Sequence, residues 1–143
     1  MIPVGTHIQL PLPFPFLSRL DYIAIRRESD NEILIELLDD LEVSTRFGRL
    51  LIPAGFISDG ASIPKLARAL VGSPFEFEYL APAIIHDALY RKGMFDQFSR
   101  ADADLVFRDL MWNTKVAGWK VPLFYAAVRV GGWRFFKKFS YQD

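Results

Sequence analysis

The chain has 143 residues, enough to bury one core and short for two. Apolar residues make up 51% and aromatics 15%, while 17 Lys and Arg balance 17 Asp and Glu, so a globular domain is expected and nucleic acid is not an expected partner. Without cysteine there is no disulfide and no thiolate, and two histidines, His7 and His86, are too few for the usual zinc ligand set.

The N-terminal run MIPVGTHIQLPLPFPF is apolar but has no basic leader and carries four prolines in its first fifteen residues, so it reads as an extended arm rather than a signal peptide. No run of about eighteen apolar residues is present, so no membrane-spanning helix is expected and any membrane would be met from its surface. From Leu20 to Pro53, short β-prone runs alternate with polar turns: DYIAIRR, EILIELL, LEVSTRF and GRLLIP. They predict a small antiparallel sheet, with EILIELLDDL also compatible with a helical turn. FISDGASIP follows as loop, then KLARALVG as a helix-prone segment. The next helix is expected from about Pro82 to Arg91, with Gly93 just past its end. Ser99 and Asp102 form a variant capping box that opens SRADADLVFRDLMW. A last helix begins near Val121-Pro122 and continues through FYAAVRVGGWRFFKKF, weakened at Gly131-Gly132. The expected fold class is α+β in a single domain, with a sheet region over 1–55 and a helical region over 56–143.

The chemistry concentrates in IIHDALYRKG. On a helix His86 and Tyr90 share a face and Asp87 lies about 100° round it. The following helix carries Asp104, Phe107 and Met111 at three- and four-residue spacing, an acid on an apolar face. The short connection from Gly93 to Ser99 makes the two helices antiparallel neighbours, which can set Asp104 opposite His86. A carboxylate on one imidazole nitrogen fixes the tautomer and leaves the other nitrogen to take a proton from water. Asp87 and Asp59 are hard oxygen ligands, and the SDGAS loop can add backbone carbonyls, a donor set suited to Ca²⁺. Ser62 is a loop or capping hydroxyl before it is a nucleophile, and Arg91 and Arg100 read as solvated helix ends.

The runs SDGASIP, HDALYR, SRADADLVFRDLM and FYAAVRVGG resemble the pattern of small bacterial secreted phospholipase A2 enzymes, over about Phe56 to Gly132. They also resemble a family of uncharacterised phage and prophage proteins with SDGAS, HD-x-x-Y and SR-x-x-aD signatures. The resemblance implies a phospholipase A2-like antiparallel helical unit in which His86 is the base, Asp104 orients it and Tyr90 supports that carboxylate. It further implies calcium held by Asp87 and Asp59, with the Gly60 backbone as a further ligand. Those lipases are disulfide-stapled, and this chain has no cysteine. The expected function is calcium-dependent hydrolysis of phospholipid esters by a phage-encoded protein at the host envelope. The rival expectation is a non-catalytic virion or assembly component, with other virion proteins as partners and a buried His-Asp-Tyr network. The virion and the host cytoplasm are the locations these readings name. The segment WKVPLFYAAVRVGGWRFFKKF fits a helix at a lipid interface, and Val121, Phe124, Val128 and Phe135 fit an ordinary core stripe equally.

Overall fold

The structure is a computed structural model that describes residues 4–29, 33–58, 77–114, 116, 118–138 and 140. The chain divides into two compact units, with the boundary between Asp59 and Gly60.

The first unit is all antiparallel β. Strands β1 (His7–Leu10), β2 (Leu20–Arg26), β3 (Ile33–Leu37) and β6 (Ile57–Ser58) form one sheet in that order, and β4 (Leu41–Thr45) pairs β5 (Gly48–Ile52) in a second. The expected single sheet is therefore two. The N-terminal arm is extended as expected, and it is also paired: β1 runs along β2, and the backbone N–H groups of Leu17 and Ser44 donate to Glu42 and Pro15 at 2.8 and 2.9 Å. EILIELL adopts the strand alternative, with Ala24 opposite Ile35 and Tyr22 opposite Leu37. These four side chains, all buried, form the inner face, while Ile23 and Ile25 differ: Ile23 and Ile25 stand on the other face, opposite Glu36 and Leu34. Leu41 and Val43 of β4 face Ile52 and Leu50 of β5, again all buried.

The second unit contains three helices among the described residues: α1 (Phe77–Tyr90), α2 (Arg100–Asn113) and α3 (Lys120–Gly131). α1 packs on α2 and α2 on α3, around Tyr79, Ala83, Phe107, Met111, Val116, Val121, Phe124 and Val128. The expected start of α1 at Pro82 is corrected. The helix is already formed at Phe77, and Pro82 lies inside it, where its ring supplies no N–H to the ladder. The expected stop holds, because Gly93 takes φ +90°, a conformation costly to any residue with a Cβ. Ser99 and Asp102 make the reciprocal capping box at the start of α2. α3 ends at the glycine pair rather than running on, and a 3₁₀ turn over Gly132–Arg134 follows.

The expected helix KLARALVG and the loop residues Asp59, Gly60 and Ser62 lie outside the described residues.

Candidate active site

Asp104 is the centre of the helical unit's polar chemistry. It sits in the second turn of α2, after the capping box has fixed where that helix begins, and its side chain is fully buried. A buried carboxylate is costly by several kcal/mol unless its lone pairs are occupied. Here each oxygen is taken. His86 Nε2 lies 2.8 Å from Oδ1, and the Tyr90 hydroxyl donates to the same oxygen at 2.6 Å. Arg129 donates to Oδ2 at 2.8 Å, and Arg100 stands 3.6 Å from it, one helical turn back along α2.

The helical repeat explains the convergence. His86 and Tyr90 lie on one face of α1, four residues apart, so both reach the same carboxylate. The helices run antiparallel as expected, since Tyr90 and His86 meet Asp104 while Tyr79 and Ala83 share their cluster with Met111. Arg129 comes from the last turn of α3. The Arg100 guanidinium closes the far side by donating to the carbonyls of Val128 and Arg129 at 3.0 and 2.9 Å, which caps α3.

Burial raises the Asp104 carboxyl pKa, and the bonds from His86, Tyr90 and Arg129, with the attraction of the His86 ring, more than reverse it; the net shift is downward. An ionised carboxylate only accepts, so the proton between Asp104 and the imidazole belongs to Nε2. Tyr90 moves the other way. Burial, and then its bond to Asp104 and the negative charge there, raise its pKa far above the ordinary phenol value, so it stays a hydroxyl donor.

Aromatic packing holds the two α1 side chains. The His86 ring lies 4.1 Å from Tyr90 and 4.7 Å from Phe107, centroid to centroid, and Phe136 meets Tyr90 edge-on at 5.2 Å. Gly132 leaves room for the tyrosine, because a Cβ there would stand 2.5 Å from the Tyr90 hydroxyl. Lys137 finishes the clamp. Its backbone N–H donates to Tyr90 O at 2.7 Å, and its ammonium donates to the carbonyls of Leu89, Arg91 and Phe95, where the α1 dipole favours a cation.

Of the expected site residues, His86, Tyr90 and Asp104 are thus in direct contact. Asp87 is buried on the neighbouring position of α1, and Asp59 and Gly60 lie outside the described residues. No group of three His, Asp or Glu side chains suited to a metal is found among the described residues. The reading of Arg100 as a solvated end is corrected, since it pairs with Asp104 and caps α3. Arg129 carries no expectation from the sequence, and Gly132 carries one only as a weak point of the last helix, not as the room for Tyr90. Arg129 does have a signal there: it is the one charge between Val121 and Gly132, and a lone charge on an apolar helix calls for a buried partner.

Fold and site together define an α+β protein whose helical unit holds a buried His-Asp-Tyr cluster balanced by arginine. A family model described as "Protein of unknown function (DUF1353)" matches residues 23–128, and the chain belongs to that family. The match includes His86, Tyr90 and Asp104 and stops one residue short of Arg129. The chain is also 31% identical over 109 residues to the uncharacterized protein y4jT of Sinorhizobium fredii (strain NBRC 101917 / NGR234). That alignment covers 73% of this chain and 31% of the relative, so the chain spans about a third of the relative's length. No solved structure matches it.

Proposed function

We propose that the protein hydrolyses phospholipid esters by a phospholipase A2-like mechanism, with His86 as general base. The observation that carries the reading is the 2.8 Å contact of His86 Nε2 with a carboxylate that Tyr90 holds by the same oxygen. A water-activating histidine needs this arrangement: an oriented ring, a fixed tautomer and a fixed anion to stabilise the imidazolium. In the reaction, Nδ1 takes a proton from water as the oxygen attacks the ester carbonyl. Collapse of the tetrahedral intermediate breaks the acyl C–O bond, and the imidazolium returns the proton to the departing alkoxide. The products are a fatty acid and a lysophospholipid.

Calcium is the cation that accompanies this reading. The donors named for it are Asp87, Asp59 and the Gly60 carbonyl, all hard oxygen and chemically suited to Ca²⁺. When bound, the ion would polarise the ester carbonyl and stabilise its oxyanion. The envelope of a bacterial host is the proposed site of action, by analogy with the phage proteins whose signatures the sequence resembles.

The test is hydrolysis of a fluorescent phospholipid with calcium raised to about 10 mM, above the roughly 10⁻⁴ to 10⁻³ M at which extracellular calcium modules bind. Wild type should cleave. His86→Gln should stay folded and lose turnover, and Asp87→Asn should need more calcium. Folded wild type that cuts nothing across this range contradicts the reading.

One observation favours a second reading, a non-catalytic assembly component. His86 and Asp104 are both wholly buried, and Asp104 has its oxygens occupied, as in a polar network that fixes helix packing. In that case His86→Ala costs about 1–3 kcal/mol of stability, and the wild type has no turnover to lose.

A further inference from the structure

The described residues leave one large face of the helical unit uncovered. Tryptophan is highly buried on average, yet all three in this chain are more than half exposed: Trp112 at 54%, Trp119 at 63% and Trp133 at 64%. They do not lie at random. Trp119, Leu123, Ala126, Val130 and Trp133 recur at four- and three-residue spacing along α3 and its 3₁₀ turn, and each is exposed. Trp112 joins the same end as Trp119, since its ring rests against Gly118. The opposite face of α3 bears Val121, Phe124 and Val128, all buried in the core. The core stripe and the interfacial pattern are thus two faces of one helix.

The charge around this face says what it fits. Between Leu110 and Gln142 there are six Lys and Arg and no Asp or Glu, while the remaining 11 basic residues are outnumbered by 17 acidic ones elsewhere in the chain. Cations sit at both ends of the stripe, directly on its tryptophans. Lys120 Nζ lies 5.5 Å from the Trp119 ring and Arg134 Cζ 5.7 Å from the Trp133 ring. An apolar face ended by tryptophans, with Lys120 and Arg134 on those rings, is the composition of a helix lying in the headgroup layer of an anionic membrane. No described helix is long and apolar enough to cross a membrane, so the contact would be made from the surface.

We propose that the outer face of α3, from Trp119 to Trp133, docks on anionic phospholipid bilayers. It shares the phospholipid target with the hydrolase reading and stands on different residues, so the two can fail separately.

The test is co-sedimentation of the full chain with vesicles of ether-linked, non-hydrolysable lipid, either phosphatidylcholine alone or with phosphatidylglycerol added. Tryptophan emission is followed in the same samples. Binding to the anionic vesicles with a blue shift is expected, weakening as salt rises. Trp119→Ser/Trp133→Ser and Lys120→Glu/Arg134→Glu should each weaken binding at least tenfold, and the tryptophan pair should leave the melting temperature unchanged, because both of those side chains lie at the surface. His86→Gln should dock like wild type, which separates docking from turnover. Absence of binding, or equal binding by both double variants, overturns the proposal. So does concentration-dependent self-association that the tryptophan substitutions abolish, which would assign the face to a second copy of the chain.

Discussion

The molecule contains two histidine–carboxylate pairs of nearly equal length, one in each unit, and their difference is instructive. His7 Nε2 stands 2.7 Å from Asp21 across β1 and β2, and Gln9 donates to the other oxygen at 3.1 Å. His86 stands 2.8 Å from Asp104 between α1 and α2. Distance does not separate them. The His7 side chain is 51% exposed and its aspartate 11%, whereas both members of the helical pair are at 0%. His7 reaches solvent, so water can take its place on Asp21, and a pair with one exposed member is worth little. Asp104 has no such exchange: Tyr90 is buried beside it and the partly exposed Arg129 reaches in to it, because the fold must supply what water does not. A site is recognised by what surrounds the pair.

The largest contrast should come from removing each carboxylate. Asp104→Asn removes the charge facing Arg129 and sets an amide donor either against Arg129 or against His86 and Tyr90 together, which share one oxygen. Breaking a buried pair in this way costs about 3–5 kcal/mol, read from urea or thermal unfolding. Asp21→Asn should shift the same transitions far less. Equal losses would erase the distinction.

Gly132 tests the packing behind the site. Gly132→Ala drives a methyl into the Tyr90 hydroxyl and should cost about 1–3 kcal/mol, the usual range for overpacking a filled core. Tyr90→Phe in the same chain takes away the atom in the way, so the double variant should recover part of that loss. A strictly additive result would show that the glycine serves something else.

Acid sharpens the comparison further. Both aspartates ionise below their usual pH in the folded protein; hydrogen bonding from His7 leads the causes at Asp21, whereas at Asp104 burial opposes and the bonds from His86, Tyr90 and Arg129 prevail. A depressed folded pKa contributes stability above the unfolded value, near 3.9, and that contribution disappears as pH falls through the folded value. Wild type should therefore lose stability on acidification below about pH 4, and Asp104→Asn should flatten that decline.

The smallest effect is expected in the sheet unit. The Tyr22 hydroxyl is buried with no hydrogen-bond partner among the described residues, so Tyr22→Phe should leave stability unchanged or raise it by up to about 1 kcal/mol in thermal unfolding.

How much of this was legible in the sequence depends on range. Local signals held: Gly93 stops α1, Ser99 and Asp102 cap α2, and four of the strands lie where alternation put them, because each depends on neighbours a few residues away. The meeting of His86 with Asp104 was also legible, since helical spacing and one short loop fix it. The failures involve longer reach. β1 is a strand only because β2 lies beside it, and the sheet divides in two through pairing that no single run encodes. Tyr22 and Ala24 are buried on the inner face beside the more apolar Ile23 and Ile25, a choice made by the partners across β3. Arg129 reaches Asp104 across 25 residues, and Gly132 matters through a tyrosine 42 positions away.

The central claim concerns one atom: with Asp104 ionised, the His86 proton sits on Nε2 and Nδ1 is the basic nitrogen. Nitrogen-15 NMR of the imidazoles tests it directly, and with only two histidines in the chain His7 serves as the internal control. In the uncharged ring of His86, the predicted spectrum has a protonated Nε2 and an unprotonated Nδ1, and Asp104→Asn should disturb both signals. A neutral ring with its single proton on Nδ1 would give nothing to Asp104 and offer no base to water through that nitrogen, and the proposed chemistry would fall with it.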